Sequence, residues 1–514
     1  MIRDQIKQLI NIPEAQITRV ENGRFGDYST NIALKSAKVQ GGNPLEAAEE
    51  IKGKILSAGS DLIEKVEVAG PGFINIFISP KFLRYQVKEI MILGEKYGFV
   101  DSGKGKKIQI EFISANPTGP LTLGNGRGGF LGDVLANVLA RANWKVEREY
   151  YVNDSGEQVR KLGKTLTGEE IFYKGDYIED LRKRIETKDF QQAGEKAAGI
   201  VLSEMIKPTI HGQMKIDFDN WFSEKSLYES GEVEQAIDLL NKKGFVCEKE
   251  NAWWFKSSEL GDEKDRVLIK ADGQKTYLAS DIAYLKNKFD RGFDRLVMIW
   301  GADHHGYINR IKAAAKALGY DENKIDFIIV QLARLIEDGK EVKMSKRAGV
   351  YVTLDELIEE VGADVARFFF LTRSPETHLN FDLKLAKEQS EKNPVYYIQY
   401  AFARISSILK KAVLAPMGTE VDLSVLNHSS ELALIKYLIR LPEMVEDSAR
   451  DLQVQRLTQY SLDLVRSFHK FYEDCRVISE DEKLSQARLE LVQATKTVLK
   501  NTLDILGIGA PEKM

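Results

Sequence analysis

Apolar residues recur along this chain with two periods, and the switches between them divide it into units. In "MIRDQIKQLI" the apolar positions Ile2, Ile6 and Ile10 lie four apart, which predicts an amphipathic helix, whereas "GFINIFIS" at 72–79 alternates and predicts a strand. The turn Ala69-Gly70-Pro71-Gly72 precedes that strand, so residues 1–80 read as a small α+β domain. "KFLRYQVKEIMILGEKYG" returns to the helical period and forms a linker helix over 81–105. From Lys107 the pattern becomes strand ("KIQIEFIS"), loop ("SANPTGPLTLGNGRGG", Ser114 to Gly129), helix ("GGFLGDVLANVLARAN") and strand ("WKVEREYYVND"). That order is the βαβ pattern of a parallel sheet. Further strands are predicted in "DRLVMIWGADHH" (294–305) and "KIDFIIVQLARL" (324–335), with the mixed, charged stretch 155–265 as an insertion. After about 380 strands cease, and amphipathic helical runs at 383–413, 432–451, 456–475 and 484–506 predict an all-α bundle. The expected architecture is multidomain α/β: an N-terminal α+β domain (1–80), a linker helix (81–105), a Rossmann-like parallel-sheet domain (106–375) and a C-terminal helical bundle (376–514).

Composition narrows the class. A chain of 514 residues exceeds what one core holds, and 43% hydrophobic with 29% charged residues describes an ordinary globular protein. A net charge of -4 excludes a nucleic-acid coating protein, whose affinity rests on phosphate neutralisation, but leaves room for a local basic face. Cys247 and Cys475 are far apart and form no CxxC pair, which fits a reducing compartment and argues against a disulfide framework. The first residues carry Asp4 and do not read as a signal peptide, and no apolar run approaches the roughly 20 residues that cross a bilayer. A cytoplasmic protein without membrane contact is expected.

The glycine loop leaves several readings open. Gly124, Gly126 and Gly129 satisfy G-x-G-x-x-G, the fingerprint of a dinucleotide-binding oxidoreductase, and Glu147 or Glu149 follows near the right distance. That fingerprint should open directly after its strand, yet a loop with Pro117 and Pro120 intervenes. A purely structural glycine turn is the bland reading. A second stretch, "EVKMSKRAG" at 341–349, carries Lys343 and Lys346, a spacing that by itself ordinarily marks a solvated face.

Together the two stretches resemble the paired signatures of class I aminoacyl-tRNA synthetases. The first matches the "HIGH" element, and Lys343 to Lys346 match "KMSK" letter for letter. "EFISANPTGPLTLGNGRGG", "YYVNDSGEQV", "FDNWFSE", "DGQKTYLASDIAYLKNKF", "IWGADHHGYI" and the run from "ARFFFLTRSPETHLNFD" through "NPVYYIQYAFARISSI" are similar to arginyl-tRNA synthetases of bacterial type. "GDYSTNIALKSAK", "GPGFINIFIS" and the terminal "LGIGAPEKM" extend the resemblance over nearly the whole chain, in order.

The resemblance implies an arginine–tRNA ligase using ATP, L-arginine and tRNA(Arg), with Mg2+ on the phosphates, acting as a monomer. Where the family usually shows His-x-Gly-His, this chain has Thr122, Leu123, Gly124 and Asn125. A Thr hydroxyl and an Asn amide still donate neutral hydrogen bonds to developing phosphate charge, so Thr122, Gly124 and Asn125 keep the catalytic role beside Lys343 and Lys346. Pro117, Thr118, Gly119, Pro120, Gly126, Met344 and Ser345 would complete the ATP loops. In "GADHHG", Gly301 would admit the adenosine, Asp303 would accept from the ribose hydroxyls, and His304 would adjoin them. His304 and His305 have no third ligand nearby, and no protein-held metal is expected. Glu111 and Asp281 would pair with the guanidinium, Tyr277 would add its hydroxyl, and Ser114 and Asn116 would hold the α-amino end. Tyr277 and Asp281 lie one helical turn apart and can face one ligand. Tyr396, Tyr397, Gln399, Tyr400 and Arg404 would meet the anticodon, aromatic rings stacking bases and arginine reaching phosphates, although helical tyrosines equally serve a core. The N-terminal domain would meet the tRNA elbow. The altered Thr122 and Asn125 raise one alternative, a paralogue that binds tRNA or nucleotide without charging.

Overall fold

Side-chain caps set many of the element boundaries. Ser79 accepts from the N–H of Phe82 at 3.1 Å and starts the helix Pro80–Leu93; Asn393 likewise accepts from Val395 at 3.0 Å and starts Pro394–Lys411. The computed structural model describes residues 1–20, 22–342, 352–412 and 421–514.

The N-terminal unit is a four-stranded antiparallel sheet ordered Thr18–Arg19, Tyr28–Thr30, Phe73–Ile78, Ile63–Ala69. The helix Ile2–Ile10 buries Ile2, Ile6 and Ile10, as their spacing predicts. The central unit is a five-stranded parallel sheet ordered Ile325–Val330, Arg295–Gly301, Lys107–Glu111, Lys145–Val152, Asn220–Ser223. The chain starts in the middle of this sheet, winds outward one way, then returns and winds out the other way. Strand order therefore reverses between Lys107–Glu111 and Arg295–Gly301, the place where open α/β sheets form a ligand crevice. Their pairing ends with Met298 opposite Glu111, and beyond it the two chains part.

Several elements differ from the sequence expectation. Asn220–Ser223 joins the central sheet, so 155–265 is no single insertion. It comprises a mainly helical crossover and then a separate antiparallel sheet of Val246–Lys249, Ala252–Phe255 and Arg266–Ile269. The joining strand is half-buried throughout and lacks the apolar alternation that would have announced it. The stretch 324–335 splits after Val330, because Gln331 donates its N–H to the Pro375 carbonyl at 2.8 Å and Ala333–Glu337 pairs instead with Leu379–Asp382. That last strand runs just past 380. The helical run at 432–451 breaks into Ser429–Leu438 and Leu441–Asp451, since Pro442 sits in the first turn of the second helix, where its missing N–H is tolerated. The run at 383–413 likewise divides into Leu383–Lys387 and Pro394–Lys411.

The bundle is completed by Arg456–Asp474 and Glu482–Leu506. The linker helix packs on it, and Asn501 donates to the carbonyls of Gly94 and Tyr97 at 3.0 and 2.9 Å. The N-terminal unit docks on the same bundle through buried Glu443. That carboxylate accepts from Tyr28 Oη at 2.9 Å and Arg19 Nε at 3.3 Å, while Arg3 reaches Asp447 at 2.9 Å and Glu446 at 3.0 Å. Among the described residues no helix is long and apolar enough to cross a membrane.

Candidate active site

The first strand of the central sheet ends in a sharp turn. Ile113 and Ser114 follow one another with φ of 67° and 39°, a conformation that a β-branched residue rarely takes and that is typically retained at functional sites. Ser114 Oγ accepts from the N–H of Tyr151 at 3.1 Å, and Asn153 Nδ2 donates to the Ser114 carbonyl at 3.3 Å. This turn separates two adjoining cavities, whose walls share Ile113, Ser114, Gly301 and His304.

One cavity, of about 390 Å³, is acidic and aromatic. The helix Tyr277–Asp290 supplies Tyr277, Asp281, Tyr284 and Lys288 to its wall, spaced to form one helical stripe. Glu111 is ion-paired with Lys288, whose side chain is fully buried and whose Nζ lies 4.2 Å from the Tyr284 ring centroid. Asp281 accepts from Tyr307 Oη at 2.6 Å. Burial pushes its carboxyl up to about 7; the Tyr307 hydrogen bond opposes this, and the neighbouring Glu224 and Glu111 carboxylates add to it. Glu224 accepts from Ser280 at 2.9 Å and Ser155 at 3.0 Å, and burial raises its carboxyl despite those bonds. Neither Asp281 nor Glu224 forms an ion pair among the described residues. Tyr277 Oη accepts from the N–H of Glu157 at 2.7 Å. Two buried carboxylates with no ion-pair partner of their own among the described residues make a receptor for a cationic head.

Behind this wall, Glu149 is fully buried and meets Arg291, the Tyr284 hydroxyl and Asn220. Burial alone would raise its carboxyl, but Arg291 and Lys288 hold it below the ordinary range. This network fixes Tyr284 and the charge balance around Lys288.

The second cavity, of about 490 Å³, opens at the N-terminus of the helix Leu123–Arg141. Ser114, Asn116, Thr118, Gly119, Pro120, Thr122, Asn125, Gly301, Asp303 and His304 line it. Asn116 therefore faces this cavity rather than the acidic one. Thr122 and Asn125 form a capping box: Thr122 Oγ1 accepts from the Asn125 N–H at 3.3 Å, and Asn125 Oδ1 accepts from the Thr122 N–H at 2.9 Å and hydroxyl at 2.8 Å. Their side chains thus build the helix start as well as the cavity wall, and the Asn125 amide N–H groups stay free to donate. The Thr-x-x-Asn spacing ahead of an apolar run carries that signal in the sequence.

The glycines divide by role. Gly124 is exposed in the first turn, where an added Cβ would meet only Thr122 Oγ1, at 3.6 Å. Gly126 lies off the cavity wall, and a Cβ there would strike Leu354 at 2.4 Å; Pro117 is buried beneath the loop. At Gly129 a Cβ would meet Met214 at 2.5 Å and Ile113 at 2.9 Å. Gly126 and Gly129 are therefore packing glycines inside a helix, and 112–122 separate that helix from its strand. This geometry does not make a dinucleotide fingerprint. At Gly301 a Cβ would lie 2.7 Å from Asp303 Oδ1. His304 Nε2 is 3.5 Å from Asp303 Oδ2, and among the described residues no group of three His, Cys, Asp or Glu could hold a metal.

Lys343, Met344, Ser345 and Lys346 lie outside the described residues. The chain that follows them is stitched to the first loop: Leu354 donates its N–H to the Leu121 carbonyl at 2.9 Å, and Thr353 bridges to Thr122.

On the bundle, none of Tyr396, Tyr397, Gln399, Tyr400 and Arg404 is buried. The Tyr396 and Tyr400 rings lie 6.5 Å apart and nearly parallel, Tyr397 faces His469 at 5.2 Å, and Arg404 stands 4.6 Å over Tyr472. Gln399 instead ties the helix inward, donating to Asp364 Oδ2 at 2.9 Å and the Gly509 carbonyl at 3.0 Å. Arg404, Lys411, Arg476 and Tyr472 line an open hollow of about 620 Å³.

Sequence reasoning missed Glu224, Lys288 and Tyr307. Lys288 continues the Tyr277–Asp281–Tyr284 stripe and was accessible from helical spacing. Glu224 and Tyr307 sit inside "FDNWFSE" and "IWGADHHGYI", but nothing local tells that either reaches the acidic cavity.

Three family models match in order along the chain: the arginyl tRNA synthetase N terminal domain over 1–78, the class I (R) tRNA synthetase catalytic domain over 160–369, and the DALR anticodon binding domain over 398–514. An arginine–tRNA ligase of Carboxydothermus hydrogenoformans is 45% identical, covering 97% of this chain and 94% of the relative. One of Caldanaerobacter subterraneus subsp. tengcongensis is also 45% identical, covering 98% and 94%. The Thermus thermophilus arginyl-tRNA synthetase structure shares the fold over 100% of both chains, with a TM-score of 0.80 at 22% identity. Acidic cavity, capped helix at the second cavity, bundle and full-length similarity thus converge, and the chain belongs to the arginyl-tRNA synthetase family of class I aminoacyl-tRNA synthetases.

Proposed function

We propose that this protein is an arginine–tRNA ligase. A carboxylate oxygen of L-arginine attacks the α-phosphorus of ATP and the bond to the bridging oxygen breaks, giving arginyl-adenylate and pyrophosphate. The 3′-terminal ribose hydroxyl of tRNA(Arg) then attacks the arginyl carbonyl, and AMP leaves. The observation that carries this reading is the acidic cavity, where Asp281 and Glu224 meet with no ion-pair partner of their own among the described residues, beside a second cavity at a helix N-terminus. A guanidinium satisfies both carboxylates and is planar enough to pack against Tyr284 or Trp300.

In this reading Tyr277 closes the arginine cavity, and Ser114 and Asn116 hold the α-amino end. Glu111, already paired with Lys288, contributes charge balance more than a direct fork to the guanidinium. No general base is needed, since the attacking carboxylate is already ionised. The work is positioning and donation to developing charge, by the first turn at Gly124, by the Asn125 amide that Thr122 holds in place, and by Lys343 and Lys346 from the second loop. Thr118, Gly119 and Pro120 form the near wall for ATP, with Pro117 and Gly126 supporting it from behind. Gly301 and His304 flank the adenosine, and Asp303 accepts from the ribose. Mg2+ is assigned to the triphosphate, because it keeps most of its water and binds through phosphates.

The bundle (376–514) is assigned to the anticodon through Tyr396, Tyr397, Tyr400 and Arg404, with Gln399 fixing their helix. The N-terminal domain (1–80) is assigned to the tRNA elbow. We take the enzyme to act as a monomer in the cytoplasm, where its two free cysteines stay reduced. Charging of tRNA with labelled arginine tests the reading. Arginyl-tRNA formed only with ATP and tRNA is expected; no charging by folded protein would overturn it in favour of a binding-only paralogue.

A further inference from the structure

Part of the wall of the nucleotide cavity comes from a loop that none of the motifs singles out. Between the helices Glu157–Thr167 and Asp176–Arg184 the chain runs through Phe172, Tyr173 and Lys174, all three lining that cavity. The loop is pinned along its length. The Phe172 N–H donates to Thr165 Oγ1 at 3.0 Å, Tyr173 Oη donates to Gln158 Oε1 at 2.7 Å, and Tyr177 Oη donates to the Thr118 carbonyl at 3.0 Å. Gly175 follows with φ 128°, a left-handed value that other residues rarely adopt, and turns the chain into the next helix. At Gly119 a Cβ would sit 2.9 Å from Tyr177 Oη, so loop and phosphate-facing turn are in contact.

Lys174 is exposed and, among the described residues, forms no ion pair or hydrogen bond and is the one lysine or arginine that lines this cavity. The other charged wall group there is Asp303. A triphosphate brings about four negative charges, and the helix N-terminus with the neutral Asn125 amide offsets only part of them. We propose that Lys174 is a phosphate-binding residue of the nucleotide site, contacting the β- or γ-phosphate of ATP from the wall this loop forms. This deepens the ligase reading and rests on it. The same ammonium could instead meet a phosphate of the tRNA 3′ end, and the test separates the two sources.

Charging by the unaltered protein is measured first, so failure of the ligase reading shows before any variant is made. Lys174→Met and Lys174→Arg are then compared for calorimetric binding of ATP and of AMP without tRNA, and for tRNA affinity. Thermal unfolding serves as a folding control, and no change is expected for a side chain without protein partners. The expected result is ATP binding weakened about tenfold in Lys174→Met, restored in Lys174→Arg, with AMP and tRNA binding unchanged. Unaltered ATP binding overturns the proposal. Weakened tRNA binding with ATP intact also overturns it, in favour of the tRNA 3′ end.

Discussion

Asp281 is the residue on which the arginine cavity turns. It is buried, its one hydrogen bond comes from Tyr307, and its carboxyl is pushed up to about 7. A guanidinium favours the ionised form, so below pH 7 arginine must expel a proton to bind. Arginine affinity should therefore rise as pH is raised and level off above about 7, with proton release near the midpoint, which calorimetry in buffers of different ionisation enthalpy will report. The same shift affects folding. The folded-state value lies above the 3.8 of an exposed aspartate, so stability is whole below about pH 4 and is lost as pH climbs through 7. Asp281→Asn keeps an acceptor for Tyr307 and carries no charge. It should abolish arginine use, leave ATP binding nearly unchanged, and at pH 8 raise stability by about 2–4 kcal/mol in denaturant unfolding. Loss of ATP affinity in this variant would refute the assignment. At this scale the sequence was informative where chemistry follows helical spacing, as for Tyr277 and Asp281. It was silent on Glu224, which reaches the cavity only because a four-residue edge strand joins the sheet.

Among elements, the tightest glycine contact of the described residues lies between two helices beside the 168–175 loop. An added Cβ at Gly163 would lie 1.7 Å from the Phe190 carbonyl oxygen, and one at Gly194 would lie 2.2 Å from that of Val159. The helices Glu157–Thr167 and Phe190–Val201 thus touch backbone to backbone, and the first of them leads straight into the Lys174 loop. Gly163→Ala should cost about 3 kcal/mol or more, because backbone cannot yield as a side-chain tip can. A melting temperature within about 2 °C of the parent would contradict this. The main elements were legible from periodicity: the amphipathic first helix, the βαβ start and the bundle helices. Less legible were places where partners outweigh local pattern. Beyond Val330 the chain carries on with Leu332, Ala333, Leu335 and Ile336, yet the backbone bond from Gln331 to Pro375 diverts it to another sheet. Thr122 and Asn125 cap their helix, which their Thr-x-x-Asn spacing ahead of an apolar run signals in the sequence.

Over the whole molecule, the N-terminal domain and the bundle share a buried charged cluster at their contact. Glu443 is buried against Tyr28, Arg19 and Arg3, and burial raises the Tyr28 hydroxyl further out of reach of ionisation. Glu443→Ala would take the carboxylate from Arg19 and Tyr28 while Arg3 keeps Asp447 and Glu446, and a loss of about 3 kcal/mol is expected. Limited proteolysis should then cut first within 81–105, while arginine binding to the variant stays unchanged because none of these groups reaches the acidic cavity. Domain count and order were legible from composition and period. This docking was not, since no local pattern relates Arg3 to side chains 444 positions away.

That separation has a consequence for how the protein comes into being. At the ~5–20 residues per second of synthesis, the first domain emerges roughly 20–75 s before its partner helix exists. During that wait the face awaiting the bundle presents guanidiniums and a phenol to water, groups that hydrate readily and do not recruit strangers. A greasy seam in the same position would be a standing invitation to clump on the ribosome.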